Sequence, residues 1–128
     1  MRSPMLGLRT LIYKVNDLDK AKAWYTEAFQ VAPYFDQPFY VGFNVGGFEL
    51  GLDPDGYMAQ SNFSNATAYW GVEHIHQEFE RLIGLGAQAI TEPANVGGEI
   101  MVATVADPWG NPIGLIYNPE FKIDSVTD

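Results

Sequence analysis

The strongest constraint on the fold is an order of sequence patterns that occurs twice along the chain. In the first copy, a β-branched and aromatic run at 8–15 leads into Asn16 and Asp17, which can cap a helix. Apolar residues then recur at helical spacing as far as Phe29. Three short runs typical of strands follow: 34–36, 39–45 and 48–53. This copy predicts the order β-α-β-β-β.

The second copy follows a segment at about 54–65 that is rich in Asp, Gly, Ser and Asn, which we interpret as a linker. Residues 66–72 predict a strand, and 74–85 predict a helix with one apolar face. Turn residues at 93–98 and 107–111 separate the three strands predicted to follow: 88–91, 101–105 and 112–117. The chain is therefore predicted to be an α+β protein of two tandem βαβββ modules.

Direct comparison of the two halves supports a duplication. The segment 15–18 matches 72–75 at a separation of 57 residues, and Thr10 matches Thr67 at the same separation. In the final strands, 49–50 matches 114–115 at a separation of 65 residues. Because the halves share few identical residues, the order of elements carries the interpretation more than the residue identities do.

Length and composition are consistent with one domain. A chain of 128 residues with 47% apolar residues can bury one core and is short for two. We predict a single domain over 1–128, with module one at about 6–53, module two at about 66–118 and a C-terminal tail at 119–128. No apolar run is long enough to span a bilayer and the N-terminus does not resemble a signal peptide, so a cytoplasmic location is expected.

Charge and cysteine content exclude several classes of function. The formal net charge of −9 repels nucleic acids and anionic membranes, so neither is an expected partner. The same charge fits either a solvated acidic surface or attraction of a cationic ligand. The absence of cysteine excludes disulfides, thiolate nucleophiles and zinc sites with cysteine ligands.

Alternation along the strands assigns side chains to faces of the predicted sheets, because successive residues of a strand point to opposite sides. Leu50 and Leu52 should pack under a helix, which turns Glu49 to the opposite face. The other small or polar residues assigned to that face are Gly51, Asp53, Thr67, Tyr69, Gly71, Pro112 and Gly114. These rows would line a cleft between two four-stranded sheets.

Two segments resemble a known family. VNDLDKAKAWYTEAF (15–29) looks like the strand-to-helix junction, and ADPWGNPIGLIYNP (106–119) looks like the turn and last strand, of the vicinal oxygen chelate superfamily. This superfamily includes glyoxalase I, extradiol dioxygenases, and fosfomycin and bleomycin resistance proteins. The resemblance covers about 8–118. It implies the glyoxalase/bleomycin resistance/dihydroxybiphenyl dioxygenase fold, with an open, barrel-like cleft that is often completed by formation of a homodimer.

The resemblance also implies where a metal would bind. In metal-dependent members, His, Gln or Glu ligands come from the first, fourth, fifth and eighth strands. The aligned positions here are Thr10, Glu49, Thr67 and Gly114, of which only Glu49 is of a ligand type. Since Zn, Ni or Fe sites need three or four good donors, we predict no metal and no other cofactor. His74 and His76 are two apart on a helix, so they do not face each other and are unlikely partners in one site.

Glu49 is the candidate chemical residue. Desolvation in an apolar cleft would raise its pKa toward the range useful for acid-base catalysis, or the carboxylate would pair with a cationic ligand. The structural alternative is a hydrogen bond to Thr10 or Thr67. Tyr69 is predicted either to stack on a planar ligand or to pack in the core.

Five other residues complete the sequence-based assignment. The pattern leaves open whether Tyr40, Phe43 and Trp109 face the cleft, because alternation in 39–45 is poor. Asp107 and Asn111 are predicted to hold their turn through hydrogen bonds between side chain and backbone, without a catalytic role.

Three functions fit these features. The first is a metal-independent protein that binds a small cationic or aromatic molecule in a cleft lined by Thr10, Glu49, Thr67, Tyr69 and Gly114. The second is a lyase or isomerase similar to glyoxalase I, with Glu49 as acid and base. The third is a metal-free enzyme that uses Glu49 or Tyr69. Because one fold hosts many chemistries, the resemblance does not select among them, and we rank binding first.

Overall fold

The computed structural model describes residue 4, residues 8–55 and residues 67–119. Most of the predicted linker, the first residues of module one and the C-terminal tail lie outside these ranges. Module one contains the elements β1 (Thr10–Lys14), α1 (Leu18–Phe29), β2 (Phe35–Gln37), β3 (Tyr40–Val45) and β4 (Phe48–Asp53). Module two contains the elements β5 (Tyr69–Gly71), α2 (Ile75–Gly84), β6 (Gln88–Gly97), β7 (Ile100–Ala106) and β8 (Pro112–Tyr117).

Each module forms one four-stranded sheet with the same topology. Sheet one has the order β1-β4-β3-β2 and sheet two the order β5-β8-β7-β6. In both, the first strand of the module pairs in parallel with the last strand, and the remaining pairs are antiparallel. The α+β class and the two βαβββ modules predicted from the sequence are confirmed.

Helix α1 begins and ends for identifiable local reasons. The side chain of Asp17 accepts a hydrogen bond of 3.1 Å from the backbone N–H of Lys20, which caps the first turn. The helix ends at Gln30, which has a left-handed φ of 54°. The buried face consists of Ala21, Tyr25 and Ala28.

Helix α2 is amphipathic in the same way, and it buries Ile75, Phe79 and Leu82. Its N-cap residue His74 makes no capping hydrogen bond with its side chain. Neither helix in the described part of the chain is long and apolar enough to cross a membrane.

The region predicted as a turn at 93–98 is instead mostly strand. β6 continues to Gly97, and its pairing with β7 shifts register three times along its length. Pro93 suggested a turn because proline lacks a ladder donor, but an edge strand tolerates proline where its missing N–H is not needed. The chain reverses only at Gly97 and Gly98, where φ is 141° and 55°.

The sheets bury their apolar faces against the helices in one core cluster that includes residues of both modules. Phe43, Leu50 and Leu52 of module one and Val105 and Ile113 of module two are fully buried. Burial of each such side chain stabilises the fold by roughly 1.5–3 kcal/mol. The predicted orientation of β4, with Leu50 and Leu52 toward a helix, is therefore confirmed.

Hydrogen bonds from the turn after β7 hold the two modules together. The buried carboxylate of Asp107 accepts hydrogen bonds from the hydroxyl of Tyr25 at 2.6 Å and from the backbone N–H groups of Trp109 and Asn111 at 2.9 and 2.7 Å. The Asn111 amide donates to the Lys14 carbonyl at 2.9 Å. The predicted structural role of Asp107 and Asn111 is confirmed, and it extends to joining the modules.

The internal register corrects one part of the proposed duplication. Val15 N–H donates to Asp53 O in sheet one, and Val72 N–H donates to Ile116 O in sheet two. The first strands therefore do correspond at 57 residues, but the last strands correspond at 63 and not at 65. Gly114 is the counterpart of Gly51, and Pro112 is the counterpart of Glu49. Matching two residues by identity alone, in halves of low similarity, gave the wrong register.

Candidate functional site

The polar residues of sheet one converge on the carboxylate of Glu49. The hydroxyl of Tyr34 donates a hydrogen bond of 2.6 Å to Oε1, and the hydroxyl of Tyr40 donates a short hydrogen bond to Oε2. We call Tyr34, Tyr40 and Glu49 the Glu49 cluster. Each oxygen of the carboxylate is thus held by a different tyrosine.

Backbone pairing positions the members of this cluster. The N–H of Tyr34 donates to the carbonyl of Gly42 at 2.9 Å, which ties the residue before β2 to β3. Glu49 lies opposite Asn44 in the β3–β4 pair and opposite Thr10 in the β1–β4 pair. The cluster is therefore built on the side of sheet one that faces away from the helices.

Two glycines make room for the cluster. A Cβ atom at Gly42 would lie 3.4 Å from both Oε2 of Glu49 and the ring of Tyr34. A Cβ atom at Gly51 would overlap the hydroxyl of Tyr40. Gly42 and Gly51 are opposite each other in the β3–β4 pair, so together they form the floor on which the tyrosines lie.

Hydrogen bonding makes Glu49 a stronger acid than an isolated glutamic acid. The bond from Tyr34, and then that from Tyr40, lower the pKa of Glu49, and burial opposes them only weakly. The expectation of a raised pKa is wrong, because the carboxylate is partly exposed and has two hydroxyl donors.

The two tyrosines shift in the opposite direction. Burial, followed by the bond to Glu49, raises the pKa of Tyr40, and the bond to Glu49 raises the pKa of Tyr34. At neutral pH the cluster is therefore an ionised carboxylate with two protonated phenols.

The other predicted cleft residues fall in two places. Thr10 is the direct neighbour of Glu49 on β1. In sheet two, Tyr69 lies opposite Gly114, and its ring covers that glycine: a Cβ atom there would lie 2.6 Å from Cδ2 of Tyr69. Thr67 is exposed and precedes β5. Tyr69 is 48% exposed, so core packing is not its role.

The residues left open by the sequence now have positions. Tyr40 belongs to the Glu49 cluster, while Phe43 is fully buried in the core. Trp109 packs edge-on against Trp24 of α1, with ring centroids 6.2 Å apart, which places it with the helices. The partners of Glu49 are tyrosines and not the threonines considered as an alternative.

Sequence analysis missed Tyr34 altogether and left Tyr40 undecided. A usable signal was present in β3, where Val41 and Phe43 are buried and alternate with Tyr40, Gly42 and Asn44. Tyr34 carries no comparable signal, because it lies outside the strands and reaches Glu49 only through the fold.

The donor set does not fit a metal of the kind bound by metal-dependent relatives. Thr10, Thr67 and Gly114 offer no strong ligand, and neither does Pro112, which the corrected register makes the counterpart of Glu49. Within residues 8–55 and 67–119, no group of three or more His, Cys, Asp or Glu side chains could hold a metal ion. Glu49 alone is a carboxylate, and both of its oxygens are already bound by hydroxyls.

Two cavities of about 590 Å³ each lie away from the Glu49 cluster. One is lined by 86–88 and 107–110, and the other by 16–19 and by residues 36–38 and 41. The Glu49 cluster lies instead on an open face, which is consistent with two sheets that do not close into a barrel.

Two βαβββ modules with open four-stranded sheets define the glyoxalase type of fold. A model of the Glyoxalase/Bleomycin resistance protein/Dioxygenase superfamily matches residues 7–115. The chain therefore belongs to this superfamily, as the resemblance of its two motifs indicated.

Solved structures agree on the fold. A glyoxalase-related enzyme from Fulvimarina pelagi has 21% sequence identity and a TM-score of 0.77, with 94% of each chain covered. A lactoylglutathione lyase from Agrobacterium tumefaciens has 18% identity and a TM-score of 0.72, covering 93% of this chain and 100% of the other.

A genomically encoded fosfomycin resistance protein from Listeria monocytogenes has 22% identity and a TM-score of 0.70, covering 94% of this chain and 97% of the other. At these identities the likeness establishes the fold and not the activity. No curated protein matches the chain significantly.

Proposed function

We propose that this protein binds a small organic cation in its cleft without a metal, as a binding protein of the glyoxalase/bleomycin resistance type. The observation that carries the proposal is the ionised, partly exposed carboxylate of Glu49, held by the hydroxyls of Tyr34 and Tyr40. Because this carboxylate is fixed in place before any ligand arrives, little side-chain freedom is lost on binding.

Charge and aromatic surface near Glu49 support a cationic ligand. The net charge of −9 attracts cations over a distance comparable to the Debye length. The rings of Tyr34 and Tyr40 stand beside the carboxylate, and a cation held near a tyrosine ring gains roughly 0.5–1 kcal/mol at an exposed site. Tyr69, 48% exposed on sheet two, offers a further aromatic surface for a planar ligand.

The same carboxylate argues against the alternative of a lyase or isomerase similar to glyoxalase I. A general base is most effective when its pKa lies near the working pH, and the tyrosines move the pKa of Glu49 away from that range. The poor metal donor set removes the second requirement of that chemistry.

The homodimer expected from the resemblance remains part of this proposal. Large apolar side chains exposed in the described part of one chain include Ile12 and Tyr69, and a second copy would cover apolar surface of this kind. Analytical ultracentrifugation across a range of protein concentrations measures the state directly, and a monomer at every concentration would contradict it.

The proposal is tested by thermal unfolding of chelator-treated protein. We expect benzamidine and benzyltrimethylammonium, two aromatic monocations, to raise the Tm, whereas neutral benzyl alcohol and Ni²⁺, Zn²⁺, Mn²⁺ or Fe²⁺ do not. A ligand at a hundredfold excess over its Kd stabilises the native state by about 2.7 kcal/mol. Glu49→Gln should abolish the shift, while Glu80→Gln on the exposed side of α2 should keep it.

Two results would overturn the proposal. A stoichiometric metal whose stabilising effect disappears in Glu49→Ala would revive the metal-dependent enzyme. Equal shifts from benzyl alcohol and the two cations would show that charge does not determine binding.

A further inference from the structure

The carboxylate of Glu49 retains hydrogen-bonding capacity on both oxygens. An ionised carboxylate has about four acceptor positions, two on each oxygen. Within the described part of the chain, Tyr34 supplies one hydrogen bond to Oε1 and Tyr40 supplies one to Oε2. Each oxygen therefore keeps one acceptor position for a ligand.

From this arrangement we infer the class of ligand: a planar cation with two parallel N–H donors, such as an amidinium or guanidinium group, which binds both oxygens of Glu49 at once. The inference rests on the proposed function and narrows it. Forked donors of this kind match the spacing of the two oxygens of a carboxylate, and such paired, charge-assisted bonds are about twice as strong as neutral ones.

The two tyrosines fix the plane in which such a ligand must lie. A carboxylate held at one oxygen can still rotate, whereas Tyr34 and Tyr40 hold this one at both oxygens. Tyr40 is itself confined by the close approach of its hydroxyl to Gly51. The remaining acceptor positions consequently have a defined direction, as two parallel donors require.

Aromatic side chains beside the cluster suit the planar body of the ligand. Phe35 lies opposite Gly42 in the β2–β3 pair, so it is on the same face as the Glu49 cluster. The rings of Phe35 and Tyr40 have centroids 6.1 Å apart, and the ring of Phe39 lies 6.1 Å from that of Phe35. Phe35 is 38% and Phe39 66% exposed, so their surfaces are available for contact.

A cation without N–H groups would bind this site less well. A quaternary ammonium group would cover the two free acceptor positions of Glu49 and give them no donor, and an acceptor that loses water without gaining a partner costs free energy. Attraction by charge and by the tyrosine rings would remain. The number and direction of the N–H donors are thus what distinguish this ligand class from cations in general.

Isothermal titration with two matched probes tests the inference. Benzamidine carries a planar amidinium group, and benzyltrimethylammonium carries the same charge and a similar ring without N–H donors. We expect benzamidine to bind at least about tenfold more tightly, the ratio that separates one charge-assisted bond from none. Glu49→Gln should remove this preference, and Glu80→Gln should leave it unchanged.

Single substitutions in the cluster separate positioning from folding. Tyr34→Phe and Tyr40→Phe should each weaken benzamidine more than benzyltrimethylammonium, since they free the carboxylate to rotate without removing its charge. Circular dichroism establishes that each variant is folded. An unspecific loss of structure would instead weaken both probes equally.

The outcomes distinguish this inference from the proposed function. Equal affinity for the two probes would overturn the forked ligand and leave cation binding intact. Binding of neither probe would overturn both. A preference for benzamidine that persists in Glu49→Gln would show that another residue recognises the amidinium group.

Discussion

The hydroxyl of Tyr40 lies in the space that a side chain at Gly51 would occupy. Gly51→Ala therefore cannot coexist with the present position of Tyr40. Because the overlapped atom is the end of a flexible side chain, we expect the protein to fold with Tyr40 turned away from Glu49. Gly51→Ala should then weaken benzamidine binding by roughly tenfold, about the effect of losing one hydrogen bond to a charged group.

The measurement is titration calorimetry of Gly51→Ala beside Tyr40→Phe. Both variants lose the same hydrogen bond, so their affinities for benzamidine should agree. An affinity of Gly51→Ala equal to that of the unaltered protein would show that the hydroxyl of Tyr40 does not act through Glu49.

Acid should remove the stabilising effect of the Glu49 cluster. The folded-state pKa of Glu49 lies below the reference value of 4.5, so the stabilisation is complete above that pH and is lost as the pH falls through the lowered value. The difference in unfolding free energy between the unaltered protein and Glu49→Gln should therefore shrink as the pH falls below about 4.5. Asp53, whose pKa is also lowered, is present in both proteins and cancels in this difference.

Urea unfolding at a series of pH values from about 3 to 7 measures that difference. In the double variant Tyr34→Phe, Tyr40→Phe the pKa of Glu49 should return toward its ordinary value, and carbon-13 NMR of the carboxyl group can follow it. A pKa that stays low in the double variant would assign its depression to other groups.

Gly114→Ala should destabilise the fold. The added Cβ would lie 2.6 Å from the ring of Tyr69 and 2.8 Å from the carbonyl oxygen of Ala68, and a backbone atom cannot move aside as a side chain does. Overpacking of this kind typically costs about 1–3 kcal/mol.

Gly71→Ala is the matched control, because a Cβ at Gly71 meets nothing within 4 Å. Chemical denaturation should place Gly71→Ala within about 0.5 kcal/mol of the unaltered protein. Similar free energies for the two variants would mean that β5 shifts to admit the methyl group at Gly114.

Tyr25→Phe should weaken the joint between the modules. It removes the 2.6 Å hydrogen bond to Asp107 and leaves a carboxylate that is only 3% exposed with one donor fewer. A buried polar group that loses a partner costs about 1–3 kcal/mol, so the Tm should fall. Tyr117→Phe, which removes the same oxygen from a partly exposed residue at the end of β8, should change the Tm little. Equal Tm values for these two variants would contradict this role of Tyr25.

How much the sequence predicts depends on whether local chemistry or pairing decides the feature. Alternation in β4 and β8 predicted both strands with their observed bounds and placed Glu49 opposite the buried Leu50. The capping side chain of Asp17 marked the start of α1. Features of this kind depend on neighbours in sequence, which the chain itself displays.

The partners of Glu49 could not be found in the same way. Tyr34 is 15 residues away and reaches the carboxylate only because its backbone is bonded to Gly42 on β3. Without those donors, burial was the only effect considered, and the direction of the pKa shift was mispredicted. The two-residue error in the register of β8 has the same origin, since strand pairing depends on contacts and not on local sequence.

The corrected register shows how the two halves of the cleft have diverged. Gly51 and Gly114 are equivalent floor positions, each covered by a tyrosine, yet the counterpart of Glu49 is Pro112, which carries no charge. A duplicated fold would otherwise offer a guest two equal ways to enter, related by its internal twofold. With an anion in only one half, a molecule that is cationic at one end and apolar at the other has a single preferred direction, so the broken symmetry acts as a polarity.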